Sequence, residues 1–447
     1  MEKNESLVLD ILNYGSNGEG VAKTEDGKIA FIPYSLKGEK VFATCKKSAK
    51  SFVECSVKEI VKSSNFRQEP LCKYYGCCGG CQLQHAEYNH SLEVKREIVQ
   101  NAVSKIGKLD AIVLPTIAST LDYGYRNKIS VPINFKTKSI SMHDNNNNLI
   151  DIEDCVIVGN WCKKLIKTTN TFIKRYNISV YEEGSNKGLL KQLVARKVGE
   201  CLLVSLIING EKLDHYEEYF AMLLTEFESV GLSVIINCKP SSYLPNGKFI
   251  HLCGCKNAEI DEFGLRYTIN NACFMQVNTE IKKKIYEQVI DECSGFDLCI
   301  DCYSGAGVLT ALISKSVKKA IGVEIVEEAT KAANKLCEYN NVLNVQNICG
   351  DSAKVLSGLN KEIENNKTVV VLDPPRKGCD KSLLQTLNEN CVNKIIYVSC
   401  DPSTLARDLN ILCALKDSKY KINFIRPYDM FPQTKHVETV VSLSLKN

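Results

Sequence analysis

The sequence predicts a multidomain protein in three parts: an OB-like β-barrel at residues 1–62, a central α+β domain at 63–270, and a C-terminal α/β domain at 271–447. Three observations predict it. Five short apolar runs separated by glycine-rich turns fill the first sixty residues, the spacing of a small barrel. Cysteines then crowd into Cys72-Lys-Tyr-Tyr-Gly-Cys77-Cys78-Gly-Gly-Cys81. Beyond residue 270, β-branched runs end on acidic residues or a cysteine and alternate with helical stretches, the pattern of a parallel sheet wound with helices. A length of 447 residues fits about three domains.

A net charge of +4 barely favours a polyanionic partner, so any nucleic-acid surface must be a local patch. The charged start Met1-Glu-Lys-Asn-Glu-Ser6 lacks the apolar stretch of a secretory signal, and no apolar run approaches membrane-spanning length. A cytoplasmic protein with no membrane partner, monomeric, is expected. In that compartment 22 cysteines imply buried thiols, a metal site or catalysis rather than disulfides. Cys45, Cys55, Cys201, Cys299 and Cys337 each sit in an apolar run and read as core packing.

In the first part, strands are expected at Leu7–Leu12, Gly20–Ala22, Ile29–Ile32, Lys40–Cys45 and Phe52–Ile60. Lys46, Lys47 and Lys50 cluster on one loop, a modest electrostatic footprint that an ordinary solvated hairpin tip also explains. The arrangement resembles a TRAM domain, an RNA-binding barrel often attached to RNA-modifying enzymes.

Thiolates as dense as those of residues 72–81 imply a metal in a reducing compartment. Structural zinc would show a second paired ligand set, and none follows. Three local thiolates plus a distant one suit a [4Fe-4S] cluster, whose four irons each take one cysteine. Cys72, Cys78 and Cys81 give C-x5-C-x2-C with Cys77 as a competitor; Cys155 is the remote ligand, with Cys162 the alternative.

Apolar residues at helical spacing over Glu87–Ile106 predict a connecting helix. Strands are expected at Ile129–Phe135, Ser139–His143, Leu149–Ile152, Lys191–Lys197 and Cys201–Ile208, with a helix over Leu213–Val230. Arg126, Lys128, Lys191, Arg196 and Lys197 are candidates to meet phosphates, although any solvated strand face shows such residues.

The C-terminal third carries the legible chemistry. Strand Leu298–Asp301 leads into Cys302-Tyr-Ser-Gly305-Ala-Gly307, a glycine turn that lets a ligand approach backbone at a helix start. The full dinucleotide fingerprint is missing, so a nicotinamide cofactor is not favoured. Glu324 ends Ala320–Glu324, Asp351 follows Val345–Cys349, Asp373 follows Thr368–Leu372, and Cys400 follows Lys394–Ser399. Any one acid is an ordinary helix cap; five groups, counting Asp301, on successive strand ends mark a site. Glu324 and Asp373 are expected on adjacent strands flanking the glycine turn.

These residues resemble a class I S-adenosylmethionine-dependent methyltransferase with a Rossmann-like sheet. More narrowly, Phe274-Met-Gln276-Val-Asn278, Asp301–Gly307, Asp373-Pro-Pro-Arg-Lys-Gly378, Ser399-Cys400-Asp401-Pro402 and Thr434-Lys-His-Val-Glu438 resemble the RNA uracil-C5 methyltransferase family over nearly the whole chain. Ser304 and Val308 depart from the residues common around that glycine turn. The barrel with the cysteine cluster points to the branch acting on 23S ribosomal RNA; the transfer-RNA branch usually lacks both. The resemblance implies Cys400 as nucleophile and Glu438 as base, with Gln276, Tyr303, Gly305, Glu324, Asp351 and Asp373 holding S-adenosylmethionine. Uracil C5 is too weak a nucleophile to take a methyl group directly. A thiolate adding to C6 makes an enolate, and a base must later remove the C5 proton. The rivals are a transfer-RNA uracil methyltransferase, a cytosine-C5 enzyme (which usually carries a cysteine where Asp373-Pro374-Pro375 has none), an adenine-N6 enzyme (which has an aromatic where this chain has Arg376), and a non-catalytic iron–sulfur RNA-binding protein.

Overall fold

The structure, a computed structural model, describes residues 2–240, 247–415 and 418–446. Strands β1 (Ser6–Asp10), β2 (Asn13–Tyr14), β3 (Gly20–Lys23), β4 (Ile29–Ile32), β5 (Lys40–Ser48) and β6 (Phe52–Lys62) form the first sheet, in the order β1-β5-β6-β4-β3-β2. Alternation decides its faces: Val41, Ala43 and Cys45 pack with Val53 and Cys55 inside, while Lys46 and Lys47 stay exposed. Register shifts between β5 and β6 bend the ribbon. Leu12 N–H donates to Val21 O at 2.8 Å and curls the end of β1 onto β3. The short β2 was not anticipated, because two residues show no period.

After the cysteine-rich turn, α1 (Tyr88–Lys105) buries Val94, Ile98, Val99 and Val103. Val99 and Val103 share a core with Ile300 and Ile395 far along the chain. Strands β7 (Lys128–Asn134), β8 (Ser139–His143) and β9 (Leu149–Asp151), helix α2 (Asn160–Arg175), strands β10 (Leu190–Val198) and β11 (Cys201–Ile208), helix α3 (Tyr216–Leu224), and strands β12 (Ser229–Ile236) and β13 (Lys248–Gly254) follow. The seven strands run β13-β12-β11-β10-β7-β8-β9. The helix expected over Leu213–Val230 stops at Leu224, since Ser229–Ile236 is an apolar run that pairs parallel to β11 and is buried on both faces. A hairpin of β14 (Ala258–Glu262) and β15 (Leu265–Ile269) leads to α4 (Thr279–Cys293), which Asn278 Oδ1 caps by accepting from Ile281 N–H at 3.3 Å.

The last sheet is built by β16 (Leu298–Cys302), α5 (Val308–Ile313), β17 (Lys319–Glu324), α6 (Glu327–Tyr339), β18 (Val345–Cys349), α7 (Ser352–Gly358), α8 (Asn360–Glu364), β19 (Thr368–Leu372), α9 (Lys381–Asn390), β20 (Lys394–Ser399), α10 (Pro402–Leu409), β21 (Tyr420–Tyr428) and β22 (Glu438–Leu445). Its order is β18-β17-β16-β19-β20-β22-β21. Strands β16 to β20 are parallel, and β22 runs antiparallel between β20 and β21. Glu324 and Asp373 therefore do not end adjacent strands; β16 lies between theirs. Upstream, Leu114 N–H and Ile117 N–H donate to Ile425 O and Pro427 O at 2.9 and 2.8 Å, stitching the segment after α1 along the β21 edge. Among the described residues no helix is long and apolar enough to cross a membrane.

Candidate active site

Strand order reverses between β16 and β19, and loops splay apart at such a switch point to leave a crevice at the strands' carboxyl ends. It measures about 360 Å³, with Tyr303, Glu324, Asp351, Asp373, Asp380 and Leu383 in its lining. The turn after β16 shapes its floor. Tyr303 holds a left-handed φ of 68°, a strained state that persists where surrounding structure fixes it. At Gly307 (φ 76°) a Cβ would stand 2.6 Å from Ala333 Cβ of α6, so only glycine lets the turn close there. Gly305 N–H donates to Glu324 Oε2 at 3.0 Å and Val326 N–H to Oε1 at 2.9 Å, which pins the Glu324 carboxylate.

Asp351 serves two ends. Its side chain caps α7 by accepting from Lys354 N–H at 3.1 Å, and it also lines the crevice. Burial lifts the Asp373 carboxyl to about 6. Asp301 is not a crevice group: it is buried within β16, accepts a hydrogen bond from Thr310 Oγ1, and is pushed up to about 7 by burial. Gln276 is not among the crevice-lining residues; its carbonyl accepts from Asn127 Nδ2 at 3.1 Å.

Register brings the two ends of the chemistry together. Thr439 faces Ser399 across the β20–β22 pair, so the next residues, Cys400 and Glu438, share one sheet edge. On the other side Leu372 pairs with Tyr397, which brings the Asp373 turn beside them. Burial first, then the charge of Glu438, pushes the Cys400 thiol up to about 11. Burial first, then Asp373, pushes Glu438 up to about 8, and Arg376 pulls both groups down. With no substrate bound, both hold their protons at neutral pH. Burial, reinforced by Arg376 and Lys435, holds His436 neutral at about 4.

Helix α10 seats the Arg376 turn. Asp401 caps the helix, accepting from Ser403 and Thr404 N–H at 2.9 Å each. Thr404 Oγ1 then donates to Arg376 O at 3.1 Å and Arg407 Nη2 to Lys377 O at 3.0 Å. Buried Asp408 accepts from Cys379 N–H at 2.9 Å and Tyr397 Oη–H at 2.7 Å.

One buried pair escaped sequence reasoning. Lys95 of α1 is wholly buried, ion-paired with Asp429, and donates to Phe431 O at 2.9 Å; Tyr88 Oη–H donates to the second Asp429 oxygen at 2.9 Å. The signal was a lysine on the apolar stripe of α1, one residue after Val94 and three before Ile98.

Burial pushes Cys81 up to about 12 and Cys155 to about 11, and the nearby Cys72 and Cys78 thiols add to the rise of both. Cys77 is exposed and Cys162 is buried in α2. Gln84, fully buried, turns its amide toward Cys81 and accepts from Cys72 N–H at 3.1 Å, and among the described residues its Nε2 finds no oxygen or nitrogen partner. Among the described residues no group of three or more His, Cys, Asp or Glu is arranged to hold a metal ion.

Two expected phosphate contacts are internal instead, because β10 lies inside its sheet between β11 and β7. Arg196 is buried and donates to Met275 O and Cys273 O at 3.3 Å each, holding the loop before α4. Lys191 is buried and donates to Lys239 O at 2.7 Å.

Residues 202–446 match the family described as tRNA (uracil-5-)-methyltransferase, and residues 5–58 match the TRAM domain. An uncharacterised RNA methyltransferase of Clostridium acetobutylicum is 36% identical over 99% of this chain and 97% of its own. Another, from Clostridium tetani, is 35% identical over the same shares, 99% and 97%. The crystal structure of Pyrococcus abyssi tRNA (uracil-54, C5)-methyltransferase with S-adenosyl-L-homocysteine superposes with a TM-score of 0.77 at 26% identity, over 98% of this chain and 99% of that one. With its crevice, its Cys400–Glu438 edge and its TRAM barrel, the chain belongs to the tRNA (uracil-5-)-methyltransferase family and is an S-adenosylmethionine-dependent RNA methyltransferase.

Proposed function

We propose that the chain methylates C5 of a specific uridine in 23S ribosomal RNA through a covalent Cys400–C6 adduct, with Glu438 as base. What supports this most is the pairing of Ser399 with Thr439, which sets a thiol and a carboxyl side by side at one sheet edge, near Asp373 of the crevice. Tyr303, Glu324, Asp351 and Asp373 of the crevice lining, joined by Gly305 and Gln276 from outside that lining, would hold S-adenosylmethionine, which supplies an electrophilic methyl group. The crevice suits it: its acids suit ribose hydroxyls and an amino group, and its volume of about 360 Å³ is in the range of small-ligand sites.

Cys400 loses its proton to water as sulfur bonds to uracil C6, and the ring electrons move onto C5 as an enolate. C5 would then take the methyl group, the electron pair of the broken methyl–sulfur bond staying on the donor's sulfur. The Glu438 carboxylate then removes the C5 proton, and the electrons of that bond restore the C5–C6 double bond as sulfur leaves. The target base is unstacked to reach the thiol, at a cost of a few kcal/mol.

In the same proposal the chain divides at residues 62 and 270, and Cys72, Cys78, Cys81 and Cys155 hold a [4Fe-4S] cluster. Supporting this are the proximity of Cys72, Cys78 and Cys155 to Cys81 and the Gln84 side chain, which accepts from Cys72 N–H at 3.1 Å and turns its amide toward Cys81, since cluster sulfurs accept such N–H bonds. The protein works in the cytoplasm as a monomer, where its thiols stay reduced.

A second reading, a transfer-RNA target, is favoured by the full-length likeness to the Pyrococcus abyssi enzyme, whose name gives uracil-54 of tRNA as its substrate. Mass-spectrometric mapping of 5-methyluridine in both RNAs, from cells with and without the protein, tests the two. Loss from 23S RNA is expected; loss from tRNA alone selects the second reading, and loss from neither rejects both.

A further inference from the structure

The loop from Asp429 to Val437 joins β21 to β22 and ends where Glu438 begins. The N-terminal third of the chain holds it from outside. Lys95 grips Asp429 and Phe431 O, Tyr125 Oη–H donates to Pro432 O at 3.1 Å, and Lys435 Nζ bonds Asn17 Oδ1. The densest contact is with the turn that follows Cys81. Gln82 N–H and Leu83 N–H both donate to Gln433 O, at 3.1 and 3.0 Å. Lys435 N–H donates to Gln82 Oε1 at 3.2 Å, and Gln82 Nε2 donates to Gly79 O at 2.8 Å.

The loop does not hold this shape by itself. Gln433 sits at a left-handed φ of 69°, fully buried, and neither atom of its side-chain amide has a partner among the described residues. A non-glycine residue at that φ and two unmade hydrogen bonds each cost free energy, so clamps from elsewhere must offset them. Gln82 is the clamp that reaches both ways. One end of its side chain ties the turn at Gly79, and the other ties the loop at Lys435, three residues before Glu438.

We infer that Gln82 is a positioning residue for methyl transfer: it locks the loop that delivers Glu438 at hydrogen-bond reach of the C5 proton. The inference rests on Glu438 being the base. Proton removal fails when a base drifts out of hydrogen-bond range, whereas thiol addition and methyl transfer depend on Cys400 and the crevice, which Gln82 does not touch. Loosening the clamp therefore slows one step and leaves the earlier ones.

Full-length wild type, Gln82→Ala, Gln82→Glu and Glu438→Gln are assayed with labelled S-adenosylmethionine and total RNA from cells lacking the protein, and products are run on denaturing gels. Gln82→Ala should lose about tenfold or more in kcat, keep its KM for S-adenosylmethionine within about twofold, and accumulate the methylated protein–RNA band that Glu438→Gln also gives. Gln82→Glu keeps the oxygen that accepts from Lys435, so it should recover most of the turnover and lose the band. Wild-type kcat in Gln82→Ala, slow turnover without the band, or no recovery in Gln82→Glu overturns the inference while the Glu438→Gln band leaves the base in place. A missing band in Glu438→Gln itself overturns the base assignment and this inference with it.

Discussion

In the proposed mechanism Cys400 and Glu438 act at different moments, so their loss should leave different debris. Cys400→Ala should form no covalent RNA complex and no product. Glu438→Gln should add the thiol and transfer methyl, then stall, leaving a methylated, denaturation-resistant adduct. RNA with 5-fluorouridine at the target should trap the wild type similarly, because fluorine cannot leave as a cation. If Cys400→Ala still forms the adduct, another thiol is the nucleophile. Titration adds a second prediction. Glu438 must be ionised to take a proton, yet burial holds it at about 8, so kcat/KM should rise with pH through that value. Arg376→Gln removes the cation that lowers both groups, so it should shift this limb upward and slow the enzyme at pH 7 by roughly tenfold per unit moved. For stability the sign is opposite. A carboxyl raised from 4.5 to about 8 contributes fully below its unfolded value, and that contribution is lost as pH rises through about 8. Glu438→Gln should therefore melt higher than wild type at pH 8, by roughly 2–4 °C per kcal/mol recovered, and nearly level with it at pH 4. Equal melting temperatures at pH 8 would place the carboxyl in water.

At the scale of elements, β17 presents Glu324 to the glycine turn through the Gly305 and Val326 N–H groups. Glu324→Ala should weaken S-adenosylmethionine binding by about tenfold or more, with RNA affinity nearly unchanged; equal cofactor affinity in calorimetry removes Glu324 from the site. Buried parallel strands were the most legible elements. Thr368–Leu372 and Lys394–Ser399 stand where their apolar runs put them, since strands covered on both faces need no alternation. The reading of Leu213–Val230 ran past the end of α3 because Leu223, Phe227 and Val230 keep helical spacing across the turn into β12. Helix α2 was missed because Thr168, Thr169 and Asn170 interrupt its apolar stripe. Single strand ends could be read; which ends become neighbours could not. That is why the order placing β16 between the Glu324 and Asp373 strands appeared only in the fold. The Lys95–Asp429 pair spans 334 positions, beyond any local pattern.

For the whole molecule, the cysteine-rich turn should behave as a fastening of the N-terminal two-thirds rather than as part of the chemistry. Protein purified without oxygen should be brown with about four irons per chain, and stoichiometric zinc without iron would contradict that. Cys78→Ser should lower the urea midpoint of the middle domain before it affects methyl transfer. A variant that folds normally and loses only turnover would contradict the fastening role.

The place of β22 has a consequence for how the protein is made. It leaves the ribosome after both strands it separates, so β20 and β21 wait with the edges that will face it unpaired. Bare, apolar strand edges on a nascent chain invite pairing with other chains. The thiol-bearing strand end is finished nearly forty residues before the carboxyl that completes the reaction is added. Under the proposed roles, a stalled or shortened chain ending before Glu438 lacks both the central strand of that antiparallel trio and the base.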